Sequence, residues 1–194
     1  MKRIHRGMAL ALSAVLLLLT AAPSAWAAEN TITIETAQDL AELSKNCSLD
    51  SWSQGKTVLL AGDIDLTGTD FRPIPTFGGT FDGQGHTISG LLVTGNGNVQ
   101  GLFRYVQVGG VVQDLSVRGT VSPTDFRDTA GGIVGSNRGQ LLRCTFQGTV
   151  KGESSVGGIA GINEAEGRLI NCTFSGLVEG NLHVGGIAGQ NLGG

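Results

Sequence analysis

The phrase "GGIVGSNRGQLLRCTFQGTV" beginning at Gly131 is nearly rewritten as "GGIAGINEAEGRLINCTFSGLV" at Gly157, and "GGIAGQN" opens a third copy at Gly185. Repetition at this period constrains a fold more than local propensity does, because each copy is one supersecondary unit that must bury its apolar face on its neighbours. Aligning "DLSVRGTV" from Asp114, "RCTFQGTV" from Arg143 and "NCTFSGLV" from Asn171 gives steps of 29 and 28 residues. Each segment alternates apolar and polar residues, the period of a strand with one buried face. The inward columns are then Leu115, Cys144, Cys172; Val117, Phe146, Phe174; and Val121, Val150, Val178. The outward columns are Asp114, Arg143, Asn171 and Ser116, Thr145, Thr173. Like stands on like, which hairpins have no reason to maintain and parallel stacked coils do. The glycines at 119, 148 and 176, and the pairs at 131–132, 157–158 and 185–186, are expected at corners that need positive φ or a close backbone approach. A flexible glycine-rich linker would lack Ile, Val and Phe at fixed offsets. The fold class read from these columns is all-β, a solenoid of parallel coils.

Upstream, the pattern changes. "TITIE" reads as a strand, and "TAQDLAELSKN" as a short amphipathic helix with Thr36 as N-cap and Leu40 and Leu43 on one face. "KTVLLAGDIDLTG" returns to strand, with Ile64 and Leu66 inward and Asp63 and Asp65 outward. Residues 28–56 are therefore expected to form a strand-and-helix cap that closes the exposed end of the core. Residues 57–194 are expected to form the coils, with repeats at 131–156, 157–184 and an incomplete one at 185–194. The chain stops at "GQNLGG", within a coil, which predicts one segment of a longer protein. Otherwise the last coil presents a strand edge able to pair with another chain.

Residues 1–27 read as an export signal: Lys2, Arg3 and Arg6, an apolar run from Met8 to Leu19, and the small-residue site "APSAWA". The run is shorter than the roughly 20 residues of a membrane span, and no cysteine follows the site to carry a lipid. Removing it takes three of the thirteen Lys and Arg and none of the sixteen acids, which leaves a net charge of −6. An acidic chain with scattered cations is a poor partner for nucleic acid or an anionic membrane. The expected location is secreted or cell-surface.

In sequence order, "AQDLAELS", "LLAGDIDLTG", "FRPIPTFGGTFDGQGHTISGL", "GLFRYV" and the "GGIVGSN" and "GGIAGIN" repeats together resemble the GLUG-motif proteins of bacterial surfaces. The resemblance covers nearly all of the chain beyond residue 27. It implies a right-handed parallel β-helix, secreted or on the cell surface, as part of an adhesin-like protein or of the region preceding a metallopeptidase domain. It supplies no catalytic residues.

Three constellations stand against that background. "DIDLTGTD" groups Asp63, Asp65, Thr67 and Asp70 like the opening of a calcium loop, but Ile74 occupies the twelfth position where a glutamate is due. A surface calcium site at Asp63, Asp65 and Asp70 and plain solvated carboxylates are the two readings. "TFDGQGH" offers Asp82 and His86, a pairing hydrolysis would need, although Asp-Gly and Gln-Gly are turn formers. Many parallel β-helices act on polysaccharides, yet fold does not give function. The outward column holds no stacked acid pair, and Trp52 and Tyr105 are the only Trp and Tyr beyond the signal. Cys144 and Cys172 stand in successive coils, about 4.8 Å apart, close enough for a disulfide. Leu115 in the same column favours two buried thiols instead, and Cys47 has no evident partner. The expected function is a non-catalytic scaffold or interaction segment, with a host or cell-surface protein or a glycan as partner and no cofactor. A carbohydrate-active enzyme is the alternative from another class.

Overall fold

The structure, a computed structural model, describes residues 30–124 and 128–193. The expected export signal at 1–27 lies outside the described residues. Among the described residues, twenty strands and one helix wind as a parallel β-solenoid. The first strand, β1 (Thr31–Ile34), is followed by helix α1 (Ala37–Asn46) and then by β2 (Thr57–Leu60), β3 (Ile64–Asp65), β4 (Ile74–Phe77), β5 (Thr80–Asp82) and β6 (Thr87–Val93). From there each turn has four strands. These are β7 (Val99–Gln100), β8 (Phe103–Val106), β9 (Val111–Gln113) and β10 (Ser116–Val121); then β11 (Thr129–Gly131), β12 (Val134–Asn137), β13 (Gln140–Leu142) and β14 (Thr145–Lys151). The next turn comprises β15 (Ser155–Gly157), β16 (Ala160–Asn163), β17 (Arg168–Ile170) and β18 (Thr173–Glu179), and β19 (His183–Gly185) and β20 (Ala188–Asn191) follow. Equivalent strands pair into four faces, the longest with six rungs in the order β1-β2-β5-β9-β13-β17.

The inward columns stand where the alternation puts them. Val117 pairs with Phe146 and Phe146 with Phe174, and Val121 with Val150 and Val150 with Val178. Leu115, Cys144, Val117, Phe146, Val121 and Val150 are buried. Cys172, Phe174 and Val178 are only partly buried, because among the described residues no further rung lies over β18. Nearer the first turns, Phe77, Phe81 and Phe103 are fully buried and meet with ring centroids 5.3–6.1 Å apart. Tilted and edge-on pairs at this spacing add to the area they bury.

Helix α1 starts at Thr36, whose hydroxyl accepts from the Asp39 N–H while the Asp39 carboxylate accepts from the Thr36 N–H, a reciprocal capping box. Leu40, Leu43 and the C-cap Cys47 enter the core, and Ser44 Oγ donates to the carbonyl of Arg72 at 2.8 Å. The helix lies beside β1 and β4, the first rungs of two faces.

Three expectations need correction. The segment "KTVLLAGDIDLTG" is not one strand: β2 and β3 lie on different faces, with a corner between Leu60 and Ile64. Asp114, Arg143 and Asn171 do not head the strands as outward residues. They are left-handed corners, with φ of 50°, 53° and 54°, and the strands begin two residues later. This turn directs the Asp114 N–H to the Leu142 carbonyl and the Arg143 N–H to the Ile170 carbonyl, one coil on. Asn and Asp tolerate that conformation better than most residues, and Arg143 occupies it with its guanidinium held by Asp114.

Nor do the single glycines 119, 148 and 176 mark corners. Gly148 and Gly176 lie within β14 and β18, at φ of 150° and 146°. A Cβ on Gly148 would lie 1.9 Å from the Gly119 carbonyl oxygen, and one on Gly176 the same distance from that of Gly148. The paired glycines do stand at corners, between β11 and β12, β15 and β16, and β19 and β20, and act there through close approach. A Cβ on Gly132 would meet the Phe146 ring at 2.3 Å, and one on Gly158 the Phe174 ring at 2.2 Å. The second glycine of each of the first two pairs is thus the seat of the phenylalanine that follows in the same turn.

Candidate functional site

The acids and histidine of the first turns are divided among separate corners. Asp63 Oδ1 accepts from the Thr87 N–H at 2.8 Å and lies 3.5 Å from His86 Nδ1. Asp65 Oδ1 accepts from the Thr67 N–H at 2.9 Å, closing a short turn, and the Thr67 hydroxyl and then this N–H hold the pKa of its carboxyl below the usual range. Asp82 takes the Gln84 N–H on one oxygen and the Gln113 side-chain amide on the other. His86 therefore neighbours Asp63 rather than Asp82, and Asp70 stands apart on the wall of a cleft below α1. Among the described residues, no group of three or more His, Cys, Asp and Glu side chains is arranged to hold a metal ion. None of Asp63, Asp65, Asp82 and His86 lines any of the three main clefts.

Along the repeats the outer face carries ion pairs between rungs. Arg143 grips Asp114 with two bonds of 2.6 and 2.7 Å, which hold the Asp114 carboxyl below its usual range. Lys151 meets Glu179 at 2.6 Å. Such exposed pairs contribute little to stability; they settle which charge faces which on the ladder. Trp52 is half-buried beneath Lys56, 5.2 Å from its ring centroid, and Tyr105 is exposed.

Inside the solenoid a polar ladder runs along β12, β16 and β20. Asn137 Nδ2 donates to Asn163 Oδ1 and Asn163 Nδ2 to Asn191 Oδ1, both at 2.8 Å. Asn137 and Asn163 are buried and also satisfy backbone groups at the corner that follows, Gly139 and Gly167. An amide has both a donor and an acceptor end, so it can pass the same bond from rung to rung while its remaining N–H or lone pair serves the backbone. The alternation of the strands does not mark these residues, but "GSN", "GIN" and "GQN" at one place in each repeat carried the signal.

The three cysteines are free thiols, with Cys47 and Cys144 buried and Cys172 half-buried. The Cys144 thiol beside it draws Cys172 down to about 7. The Cys172 sulfur and then burial hold Cys144 far above the ordinary thiol range, and burial pushes Cys47 up to about 11. The thiolate is the reactive form. Iodoacetamide at pH 7.5 should therefore label Cys172 first, more than about tenfold faster than Cys47. Its rate should rise with pH through a midpoint near about 7, and Cys144→Ala should move that midpoint upward. Mass mapping of the labelled peptides checks this; equal rates at all three thiols would contradict it.

Residues 152–178 match the GLUG motif. Over 131 residues the chain is 32% identical to halomucin of Haloquadratum walsbyi, an alignment that takes in 59% of this chain and 1% of that protein. In solved structures the fold recurs in a candidate immunoglobulin A1 protease of Bacteroides ovatus, with a TM-score of 0.54 and 20% identity, covering 82% of this chain and 61% of that one. At that identity the likeness is one of fold. The chain spans only a small fraction of its curated relative and under two thirds of the solved one.

Proposed function

We propose that this β-solenoid, which carries a GLUG motif, is an extracellular region of a cell-surface protein and works there without catalysis, as a rigid spacer and interaction surface. The observation that supports this reading most is the register. Identical or similar residues stand over one another from β10 through β18, so the chain's repeated investment is in a regular rod. At about 4.8 Å per rung, the six-rung face is about 24 Å long. The acids and His86 are engaged in turn formation rather than gathered around one point, which suits a scaffold better than a glycosidase or lyase. The relative named as a mucin accords with an extracellular setting.

The test is immunodetection with an antibody raised against residues 30–193, on intact and on permeabilised cells, together with the mass of the reactive product. The epitope should be accessible on intact cells and removed by external protease, within a product larger than 20.0 kDa. An epitope reached only after permeabilisation would overturn the reading.

A further inference from the structure

The largest cleft described, about 840 Å³, opens between α1 and the segments that lead into β4 and β7. Its charged lining is Lys45 on the last turn of α1, Arg72, Arg104 and the single acid Asp70, a net +2 on a chain whose formal net charge is −3. None of the three cations takes part in an ion pair within the described residues. Arg104 is oriented by its Nε, which donates to the Val99 carbonyl at 2.9 Å. Gly97 brings a second group beside it: a Cβ there would lie 2.6 Å from Gln100 Nε2 and 3.1 Å from Arg104 Nη2. The glycine lets the amide and the guanidinium come together at the cleft.

Gln100 is the odd member. It is 4% exposed, its Nε2 makes one long bond to the Gly95 carbonyl at 3.4 Å, and among the described residues its buried Oε1 accepts no hydrogen bond. A buried acceptor without a donor is costly, and a native chain keeps one for a reason. The rest of the wall is mixed: half-buried Phe71 and Leu92, the latter 64% exposed, give it apolar surface beside the side chains of Ser44, Ser48, Thr94 and Asn96. A ligand that answers all three features needs an anion for the cations, a hydrogen-bond donor for Gln100 Oε1, and a C–H face for Phe71 and Leu92. A simple carboxylate has no donor and a neutral sugar has no charge. A uronic acid has a carboxylate, hydroxyl donors and an apolar ring face, and the cleft has the volume of a site for a small organic ligand.

We propose that this cleft binds an acidic polysaccharide through its uronate residues, with Arg72, Arg104 and Lys45 taking the carboxylate and Gln100 Oε1 a ring hydroxyl. The test is calorimetric titration of the chain with a galacturonate tetrasaccharide, beside a neutral glucose tetrasaccharide and inorganic phosphate. Saturable binding of the galacturonate alone is expected. It should weaken about tenfold in each of Arg72→Gln and Arg104→Gln, and it should weaken on raising salt. Asp70→Asn, which removes the opposing charge, should tighten it severalfold. Gln100→Leu should weaken binding, and because that position is buried the exposed-side variants Lys45→Gln and Asp70→Asn keep the test independent of folding. Equal affinity for phosphate, binding of the neutral sugar, no saturable binding, or indifference to Arg72→Gln would each overturn the assignment. The measurement needs only the purified chain, so a negative result leaves the surface placement standing.

Discussion

Gly148→Ala is expected to remove at least about 3 kcal/mol of folding stability, far more than a glycine-to-alanine change at an ordinary left-handed turn. The added Cβ would stand 1.9 Å from the Gly119 carbonyl oxygen, which belongs to the backbone of the paired rung and has no rotamer to yield. Relief requires β14 to part from β10, and that breaks the ladder on which the inward column Val117 and Phe146 depends. The backbone angle of 150° adds strain for any L side chain. Gly55→Ala is the matched control, since Gly55 has φ of 71° with open space around it; it should lose only roughly 1 kcal/mol. Urea midpoints of the two variants and the parent chain decide the matter. Equal losses would mean that conformational strain alone, and not contact between rungs, keeps glycine in this column.

Asn137→Ala should cost about 2–4 kcal/mol, the next largest effect, because it withdraws one side chain from four hydrogen bonds at a fully buried place. The Gly139 N–H, bonded to Asn137 Oδ1 at 3.1 Å, and Asn163 Oδ1 both lose their partner at a buried place. Asn163→Ala should be comparably damaging, since it severs the ladder on both sides. The two losses should not add: in a double-mutant cycle the shared bond ought to appear as a coupling of about 1 kcal/mol or more. Additive losses would show that each asparagine serves only its own corner.

Both predictions concern residues whose type the repeat announces but whose task it does not. The period of 28 to 29 residues, with Val117, Phe146 and Phe174 at one offset, was enough to establish parallel coils and to say which side chains face in. In-register stacking is the physical condition that keeps one residue type on each column. The helix start at Thr36 was equally legible, because a capping box is satisfied within four residues of chain. Alternation, however, reports only whether a side chain points in or out. It cannot distinguish a strand's first residue from a left-handed corner, which is why Asp114, Arg143 and Asn171 were placed on the wrong side of that boundary. Nor does it reveal that Gly132 and Gly158 are seats for Phe146 and Phe174, a contact made across the width of one turn. The same holds where the first turns do not repeat. His86 meets Asp63 rather than Asp82, and Lys45, Arg72, Gln100 and Arg104 share one cleft, because the winding of irregular coils beneath α1 sets those neighbours. The fold and its core followed from the columns, whereas the lateral meetings that make a site depended on how unlike turns are laid against one another in space.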